Sequence, residues 1–338
     1  MTTPRHFASD RPVNTSPPAN ICVLGSINMD LVVRSPRLPS PGETLLGGSF
    51  SAFPGGKGAN QAVAAARAGA LATMIGMVGH DAHGQRLRRE LADNAVGDSG
   101  VATDDHAPTG VGLITVGENS SENTIVVAPG ANARLTPAHV ESVRELIAAA
   151  DVLLVQLEVP MDAVVRAAQV ASQSGATVMV NAAPAAPLPW ELLDAADVVI
   201  VNQNEAARVI AHATVGGDAG EVATRPVDEQ LDAIERLGVG CAVITLGSHG
   251  AAFSRARECR RVPAFEVTAA DTVGAGDAFC GYFAARYAEH RAAASLDADA
   301  LTDTVTWACA AGALAATRHG AIPSLPRRDE VVRLLCRR

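Results

Sequence analysis

Short apolar runs alternate with amphipathic helical segments along most of this chain. Residues 21–27 form the first apolar run, and residues 61–68 carry apolar positions at helical spacing just before the next run. This alternation favours parallel strands that are buried on both faces and connected by helices. We therefore predict an α/β fold, a doubly wound and mostly parallel sheet with helices on both faces. Further strands are predicted at residues 72–78, 151–157, 177–181, 198–201 and 241–246.

Two stretches interrupt this alternation, at about residues 31–55 and 109–128. Each contains short β-like runs, and the first is broken by Pro36, Pro39 and Pro41. The first stretch predicts a small antiparallel piece apart from the main sheet, and the second predicts another β pair. Together they would form one small β lid inserted into the α/β domain. Three further stretches are predicted from composition and apolar spacing: a polar glycine-rich loop at residues 212–226 and two closing helices at 299–317 and 327–336.

Composition bounds the class of protein. With 48% hydrophobic and 19% charged residues, residues 20–338 are expected to form one large folded domain, and the polar, proline-rich residues 1–19 a disordered tail. No run reaches the roughly 18–20 apolar residues of a membrane span. The six cysteines form no Cys-x-x-Cys pair, which indicates a reducing, cytoplasmic location. A net charge of −9 argues against nucleic acid as the main partner.

The stretch Asp271-Thr-Val-Gly-Ala-Gly-Asp277 carries the clearest chemical signal. The small residues Gly274, Ala275 and Gly276 lead into an apolar run that predicts a helix. Backbone N–H groups at such a helix start attract anions, and Asp277 in the first turn would be a base beside that anion. The pattern suggests phosphoryl transfer to a hydroxyl group. An ordinary acidic residue in a first helical turn would give the same pattern, so this stretch alone leaves both readings open.

Other familiar motifs are excluded by their spacing. The stretch Gly55-Gly-Lys-Gly58 is not a Walker loop, because Ser51 stands at the first glycine position and Gly58 replaces the magnesium-binding Ser or Thr. Phe279 occupies the last glycine position of a dinucleotide fingerprint. His80 and His83 lack a third ligand at a spacing suited to a metal.

Polar residues at strand ends and in one glycine loop suit a compound with many hydroxyl groups. Each hydroxyl group both donates and accepts hydrogen bonds, so amide, carboxylate and ammonium side chains can all contribute. Any one of these residues could instead belong to a solvated turn or a helix cap. The residues are Asn28, Asp30, Lys57, Asn60 and Glu158.

Motifs spread along the chain resemble the ribokinase branch of the pfkB-type sugar kinase family. Gly55-Gly-Lys-Gly-Ala-Asn-Gln-Ala62 is specific to the branch, whereas Gly274-Ala-Gly-Asp277 marks the family generally. The resemblance runs from about residue 20 to the C-terminus. The remaining matches are Gly25-Ser-Ile-Asn-Met-Asp30, Pro41-Gly-Glu-Thr44, Asn202-Gln-Asn-Glu205 and Thr245-Leu-Gly-Ser-His-Gly250.

The resemblance implies a role for each matching residue. Asp277 would be the general base that takes the proton of the sugar 5-hydroxyl group. The backbone N–H groups of Gly274, Ala275 and Gly276 would form an anion hole for the γ-phosphate. D-Ribose would be held by Asn28, Asp30, Gly56, Lys57, Asn60 and Glu158, together with Asp277.

The same resemblance implies ATP as co-substrate and two metal ions. Mg²⁺ and phosphate would be positioned by Asn202 and Glu205, and K⁺ would act as an activator. Cys309 stands where some members have His or Asn near adenine, and would contribute an apolar contact. The nucleotide site would comprise Asn202, Thr245, Leu246, Gly247, Ser248, His249, Gly250, Gly276, Asp277 and Cys309. The K⁺ site would comprise Asp271, Val273, Ala315, Arg318, Gly320 and Ser324, partly through backbone carbonyl groups.

The implied activity is phosphorylation of D-ribose at O5 to ribose 5-phosphate, in ribose catabolism, by a homodimer paired through its lids. Two alternatives stay open. One is a related kinase for 2-deoxyribose, another sugar or a nucleoside. The other is a non-catalytic sugar-binding protein, which the intact Gly274-Ala-Gly-Asp277 motif disfavours.

Overall fold

The computed structural model describes residues 17–117, 123–214 and 216–337. Most of the predicted N-terminal tail and residues 118–122 of the predicted polar turn therefore lie outside the described residues. The strands are β1 (Asn20–Leu24), β2 (Asn28–Ser35), β3 (Phe50–Gly55), β4 (Leu71–Gly79), β5 (Val96–Asp104), β6 (Gly110–Gly117), β7 (Asn123–Ala128), β8 (Val152–Val155), β9 (Thr177–Asn181), β10 (Val198–Asn202), β11 (Cys241–Thr245), β12 (Ala251–Arg255) and β13 (Glu258–Val262).

Helices fill most of the connections between these strands. Within the described part of the chain, no helix combines the length and the apolar character needed to cross a membrane. Short 3₁₀ turns lie at Gly130–Arg134, Gly247–His249 and Ile322–Ser324. The α-helices are α1 (Lys57–Arg67), α2 (Ala82–Asp93), α3 (Pro137–Ser142), α4 (Arg144–Ala148), α5 (Met161–Gln173), α6 (Trp190–Ala195), α7 (Gln203–Ala213), α8 (Ala219–Ala223), α9 (Val227–Glu235), α10 (Ala275–Ala292), α11 (Ala298–Ala315) and α12 (Arg328–Leu335).

The main sheet has nine strands in the order β13-β12-β11-β10-β9-β8-β1-β4-β5. All neighbours from β11 to β5 pair in parallel, and β12 and β13 add an antiparallel edge. Side chains alternate between two separate cores: Ile21 and Val23 pack with α1 and α10 on one face, and Cys22 and Leu24 with α5 on the other. Apolar residues at consecutive positions thus serve both faces, and the predicted doubly wound sheet is confirmed.

A second sheet of four strands, in the order β3-β2-β6-β7, forms the lid. The separate lid is confirmed, and so is the antiparallel piece predicted at residues 31–55, because β2 and β3 pair in antiparallel fashion. The two lid stretches join through the central strands β2 and β6, which run parallel. The chain enters β2 shortly after β1 ends and enters β6 shortly after β5 ends. Since β1 and β5 belong to one parallel sheet, both chain segments leave the same edge in the same direction.

Polar segments account for the other local errors. Strand β5 was not predicted, because it lies at a sheet edge and begins with the polar, glycine-rich sequence Val-Gly-Asp-Ser-Gly. Strand β13 was not predicted either, because it lies at the opposite edge and is rich in charged residues. The predicted loop at residues 212–226 contains the short helix α8, which Asp218 caps by accepting from Gly220 N. In the second half of the predicted β-like stretch 31–55, the strand begins only at Phe50.

Candidate active site

A cavity of about 410 Å³ lies at the carboxyl ends of the main-sheet strands and is bordered by the lid. Ligands in open α/β sheets bind where the strand order reverses, which here is between β1 and β8. Most of the predicted site residues meet in this cavity. Its lining includes Asn28, Asp30, Gly56, Lys57, Asn60, Glu158, Asn202, Glu205, Thr245, Val273, Gly274, Gly276 and Asp277.

The N-terminus of α10 borders this cavity. Gly274 is its N-cap in a left-handed conformation (φ 80°), and a Cβ there would lie 3.2 Å from Ala321 Cα. A residue with a side chain would therefore be both strained and crowded. At Gly276, apart from its chain neighbours and the backbone of its own helix, no atom of the described residues lies within 4 Å of the position that a Cβ would take. The first N–H groups of an 18-residue helix thus lie beside the cavity, an arrangement suited to a phosphate.

Asp277 lies in the first turn of α10 and is 8% exposed. Asn60 Nδ2 donates to Asp277 Oδ2 at 2.8 Å, and Gln61 Nε2 donates to Asp277 Oδ1 at 2.9 Å. Both donors come from α1, which starts at the glycine loop predicted to hold the sugar. Asn60 Oδ1 is buried and receives no hydrogen bond within the described part of the chain. The carboxylate is therefore held by amides, and one buried amide oxygen keeps an unused accepting position.

Asp30 projects from the lid between two glycines of neighbouring strands. A Cβ on Gly55 of β3 would lie 2.2 Å from Asp30 Oδ2, and a Cβ on Gly112 of β6 would lie 2.6 Å from Asp30 Oδ1. Gly112 is the direct partner of Asp30 in the parallel pairing of β2 and β6. The glycines therefore make room for this carboxylate inside a four-stranded sheet.

Electrostatics make Asp30 an unusual acid. Burial foremost, and then the negative charges of Glu158 and Asp277, raise its pKa from 3.8 to about 7 against the opposing effect of Lys57. Such a carboxyl group changes its charge near neutral pH. The cavity thus contains an acid whose ionisation depends on what binds beside it.

Asn28 is oriented by a residue outside the cavity lining. Asn132 Oδ1 accepts from Ile27 N at 3.0 Å, and Asn132 Nδ2 donates to Asn28 Oδ1 at 2.7 Å. The oxygen of the Asn28 amide is thereby occupied, and its NH₂ group is left as the group that can donate to a ligand.

Lys57 and Glu158 form an ion pair across the cavity, with 3.9 Å between Lys57 Nζ and Glu158 Oε1. Ser26 Oγ donates to Glu158 Oε2 at 2.6 Å and fixes this carboxylate. Burial lowers the pKa of Lys57, but the surrounding acids, Asp277, Glu158 and Glu205 foremost, outweigh it and raise the pKa overall. The lysine is therefore a permanent cation in an otherwise acidic cavity.

Asn202 and Glu205 pair with each other at the start of α7. Glu205 Oε2 accepts from Asn202 N at 2.8 Å, and Asn202 Oδ1 accepts from Glu205 N at 2.9 Å, which is a capping box. Burial raises the pKa of Glu205. Both residues line the cavity, and one carboxylate oxygen of Glu205 stays outside the capping bonds.

Other predicted residues lie beyond this cavity lining. Leu246, Gly247, Ser248, His249 and Gly250 form the turn between β11 and β12, where Leu246 N donates to Gly250 O at 2.7 Å. Cys309 is buried in the core on α11, and Ala275 is the first residue of α10.

The residues predicted for K⁺ come together beside the N-terminus of α10. Asp271 Oδ1 accepts from Val273 N at 3.0 Å, and Oδ2 accepts from Gly320 N at 3.1 Å. Ser324 is fully buried and donates to Ala321 O at 2.8 Å. Ala315 ends α11, whereas the Arg318 guanidinium group points away to pair with Glu330. Asp271 thus ties the loop before α10 to the loop after α11.

Sequence analysis missed residues that act through long-range contacts. Gln61 lies in the Gly55–Ala62 motif, which implies no role for it, yet it donates to the carboxylate of Asp277, 216 positions away. Asn132 and Asn181 stand in stretches with no chemical pattern. The pair Gly110 and Gly112 inside an apolar strand was a usable signal, because glycine there often marks close approach of another group.

The lidded sheet and the carboxylate at a helix N-terminus are typical of the sugar kinase class. The chain belongs to the pfkB family of carbohydrate kinases, whose sequence pattern matches residues 18–328, and it is a sugar kinase. Its relatives include the ribokinase of Haemophilus influenzae, 37% identical over 93% of this chain and 98% of that protein. The ribokinase of Bacillus subtilis is 36% identical over 94% of this chain and 99% of that protein.

Solved structures agree with this assignment. The ribokinase of Arabidopsis thaliana, in complex with ribose and ATP, superposes with a TM-score of 0.81 at 29% identity, covering 94% of this chain and 98% of that one. The ribokinase of Thermotoga maritima gives a TM-score of 0.82 at 29% identity, covering 94% and 99%. The predicted family and fold are confirmed.

Proposed function

We propose that this enzyme transfers the γ-phosphoryl group of ATP to O5 of D-ribose and releases ADP and ribose 5-phosphate. The observation that carries the proposal is the position of Asp277, a carboxylate in the cavity at the anion-attracting start of α10. Relatives of similar length are ribokinases, and one solved neighbour binds ribose and ATP. The surrounding amide and carboxylate groups suit the hydroxyl groups of a pentose.

In the proposed reaction, Asp277 accepts the proton of the 5-hydroxyl group as O5 attacks the γ-phosphorus. The bond from that phosphorus to the bridging oxygen breaks, and ADP leaves with the electron pair. Charge on the equatorial oxygens is stabilised by the N–H groups of Gly274, Ala275 and Gly276. Ribose is held by Asn28, Asp30, Gly56, Lys57, Asn60 and Glu158, and the lid limits access of water.

Magnesium fits the donors near Asn202 and Glu205. Among the described residues, no group of three or more His, Cys, Asp or Glu side chains is arranged to hold a metal ion. Kinase magnesium ions need one or two carboxylates and take their remaining ligands from phosphate and water. Glu205, with the carboxylate oxygen that stays outside the capping bonds, would supply that carboxylate, and the ion would neutralise phosphate charge.

The adenine would lie along Thr245 to Gly250, with Cys309 nearby.

Potassium fits the junction around Asp271. Its donors would be a carboxylate, the hydroxyl group of Ser324 and backbone carbonyl groups, all oxygen ligands of the kind that K⁺ takes. Val273, Ala315, Arg318 and Gly320 would contribute backbone oxygens. Such an ion would hold the loop before α10 and with it the anion hole.

Replacing K⁺ by tetramethylammonium at equal ionic strength will lower kcat by about tenfold, because the larger cation cannot enter the junction. In Asp271→Asn, K⁺ and tetramethylammonium will give nearly equal rates. Coupled ADP release measures both. Asp329→Asn, which removes an exposed carboxylate that pairs with Arg333, is the control and keeps the K⁺ response. Equal parent activity in the two cations would contradict the K⁺ proposal.

A dimer of two lids is also proposed. The lid exposes apolar side chains, among them Phe50 at 64% and Val126 at 59%, and a second copy of the chain would cover them. Charged substitution of Phe50 will give a monomer in light scattering if this face pairs.

We further propose that residues 20–338 form one kinase domain. A cytoplasmic location is proposed as well, since Cys22, Cys241 and Cys280 are buried thiols.

A substrate panel tests the proposed function. ADP release is measured with ribose, 2-deoxyribose, fructose and adenosine, each over a range of concentrations. Ribose will give the highest kcat/KM. Ribose turnover no better than that of fructose or adenosine would contradict the assignment.

Gly112→Ala will raise the KM for ribose by about tenfold or more, because the added methyl group displaces the Asp30 carboxylate. The control is Gly48→Ala, whose Cβ would lie 3.6 Å from Arg34 O in ordinary contact. Steady-state kinetics and a melting temperature are measured for both. An unchanged KM in Gly112→Ala would show that Asp30 does not contact the sugar.

A further inference from the structure

Gln61 is the centre of a buried amide network behind Asp277. It is 0% exposed, and its Nε2 donates to Asp277 Oδ1 at 2.9 Å and to Asn181 Oδ1 at 3.0 Å. Its Oε1 accepts from Gln156 Nε2 at 2.6 Å. Asn181 Nδ2 donates in turn to Ile200 O at 3.1 Å. Every polar atom of the Gln61 side chain is therefore engaged.

The direction of these bonds follows from the end of the network. A backbone carbonyl group can only accept, so Asn181 must present its NH₂ group to Ile200 and its oxygen to Gln61. Gln61 must then present its NH₂ group to both Asn181 and Asp277. A proton on Asp277 Oδ1 would face this NH₂ group with no acceptor, so the network fixes Oδ1 as a hydrogen-bond acceptor.

Asp277 Oδ2 has a different neighbour. The donor to Asp277 Oδ2 is Nδ2 of Asn60, a residue that lines the cavity. The amide oxygen of Asn60, its own Oδ1, has no hydrogen-bond partner within the described part of the chain. The Asn60 amide can turn toward a ligand or accept from a protonated Oδ2, whereas the Gln61 amide is fixed by three bonds.

We propose that Gln61 is a positioning residue for phosphoryl transfer, which holds Asp277 Oδ1 as a permanent acceptor and leaves Oδ2 to take the proton of the sugar. The inference rests on the proposed role of Asp277 as the base. Gln61 lies outside the cavity lining, so it acts on kcat through Asp277 and leaves sugar binding largely unchanged.

Other charged groups also face Asp277, and the test must separate them. Asp30 titrates near neutral pH in the unliganded protein, so the profile of kcat, which reports the substrate complex, is more informative than that of kcat/KM. The groups that interact electrostatically with Asp277 are Lys57 on α1, Asp30 on β2, Glu205 on α7 and Cys280 on α10, and Glu158 after β8 interacts with Asp30 and Lys57.

The test compares the kcat–pH profiles of Gln61→Met, Gln61→Glu and the parent under saturating substrates. Gln61→Met will lower kcat by about tenfold or more and move the acid limb up by about one pH unit, because Oδ1 loses its donor. Gln61→Glu will show an alkaline limb that the parent lacks, because only a protonated carboxyl group can donate to Oδ1. Both variants will bind ribose about as the parent does by calorimetry.

Gln173→Glu at the exposed end of α5 is the control and will keep the parent profile. Parent-like profiles in both Gln61 variants, or equal losses in kcat and ribose affinity, would overturn the inference. If Gln61→Met does not fold, the alkaline limb of Gln61→Glu decides the question. Turnover by Asp277→Asn would instead refute the base itself. If the panel favours another sugar, the same profiles are measured with that sugar.

Discussion

Asp277→Asn will lower kcat by about 10²–10⁴-fold and leave ribose affinity nearly unchanged. Asparagine keeps the size of the side chain and can still face the amides of Asn60 and Gln61, but it cannot accept the proton of the 5-hydroxyl group. The anion hole is built from backbone groups and remains. Coupled ADP release gives the rates, and calorimetry gives the affinity.

The matched control for this variant is Asp162→Asn. Asp162 also lies in the first turn of a helix, α5, but outside the cavity lining. Its replacement will leave kcat at the parent value. Near-normal turnover in Asp277→Asn would refute the role of Asp277 as base and would favour the ordinary first-turn acid that the motif alone left open.

Asp30→Asn is expected to act in opposite directions on binding and on stability. The KM for ribose will rise by about 10–100-fold, because a charged acceptor of sugar hydroxyl groups is lost. The unliganded protein will become more stable by about 1–3 kcal/mol above pH 7, because a buried carboxylate near two others is removed. Stabilising a binding site at the expense of its function is a common trade.

The sign of the pH dependence follows from the pKa of Asp30. Its value in the folded state, about 7, lies above the unfolded value of 3.8, so the folded state binds the proton more tightly. The carboxylate therefore destabilises the unliganded protein increasingly as pH rises from about 4 to 7. Melting temperatures at pH 5 and pH 8 will differ between variant and parent, with the larger gap at pH 8.

An exposed carboxylate serves as the control for that measurement. Asp105, which is 72% exposed in its side chain beside His80, is replaced by asparagine. Its melting temperature will follow the parent at both pH values. If Asp30→Asn is less stable than the parent at pH 8, the carboxylate has a stabilising partner that this account omits.

Most of the sheet could be predicted, because a strand that is buried on both faces is apolar at consecutive positions in the sequence. The run around Val152 to Val155 is apolar at every position, and all of it is buried. Edge strands do not have such continuous apolar runs, and for this reason β5 and β13 were not predicted. The parallel pairing of β2 with β6 depends on where the chain leaves the main sheet, a long-range property that local periodicity does not contain.

The site divides in the same way. Residues inside short motifs could be identified from those motifs: Lys57 and Asn60 stand in one motif and Asp277 in another, and all three line one cavity. Supporting residues could not, because Asn132 reaches Asn28 across 104 positions and Gln156 reaches Gln61 across 95. Amide side chains of this kind appear in sequence as ordinary polar residues, and only the fold shows what they orient.

The position of phosphate in the product decides whether the enzyme transfers phosphate from ATP to O5 of ribose. D-Ribose labelled with ¹³C at every carbon is incubated with the enzyme, ATP, Mg²⁺ and K⁺, and the product is followed by ¹³C and ³¹P NMR. We expect one monophosphate whose phosphorus couples to C5 and C4. Coupling to C1, or no labelled phosphate under conditions in which another sugar or a nucleoside is phosphorylated, would contradict it.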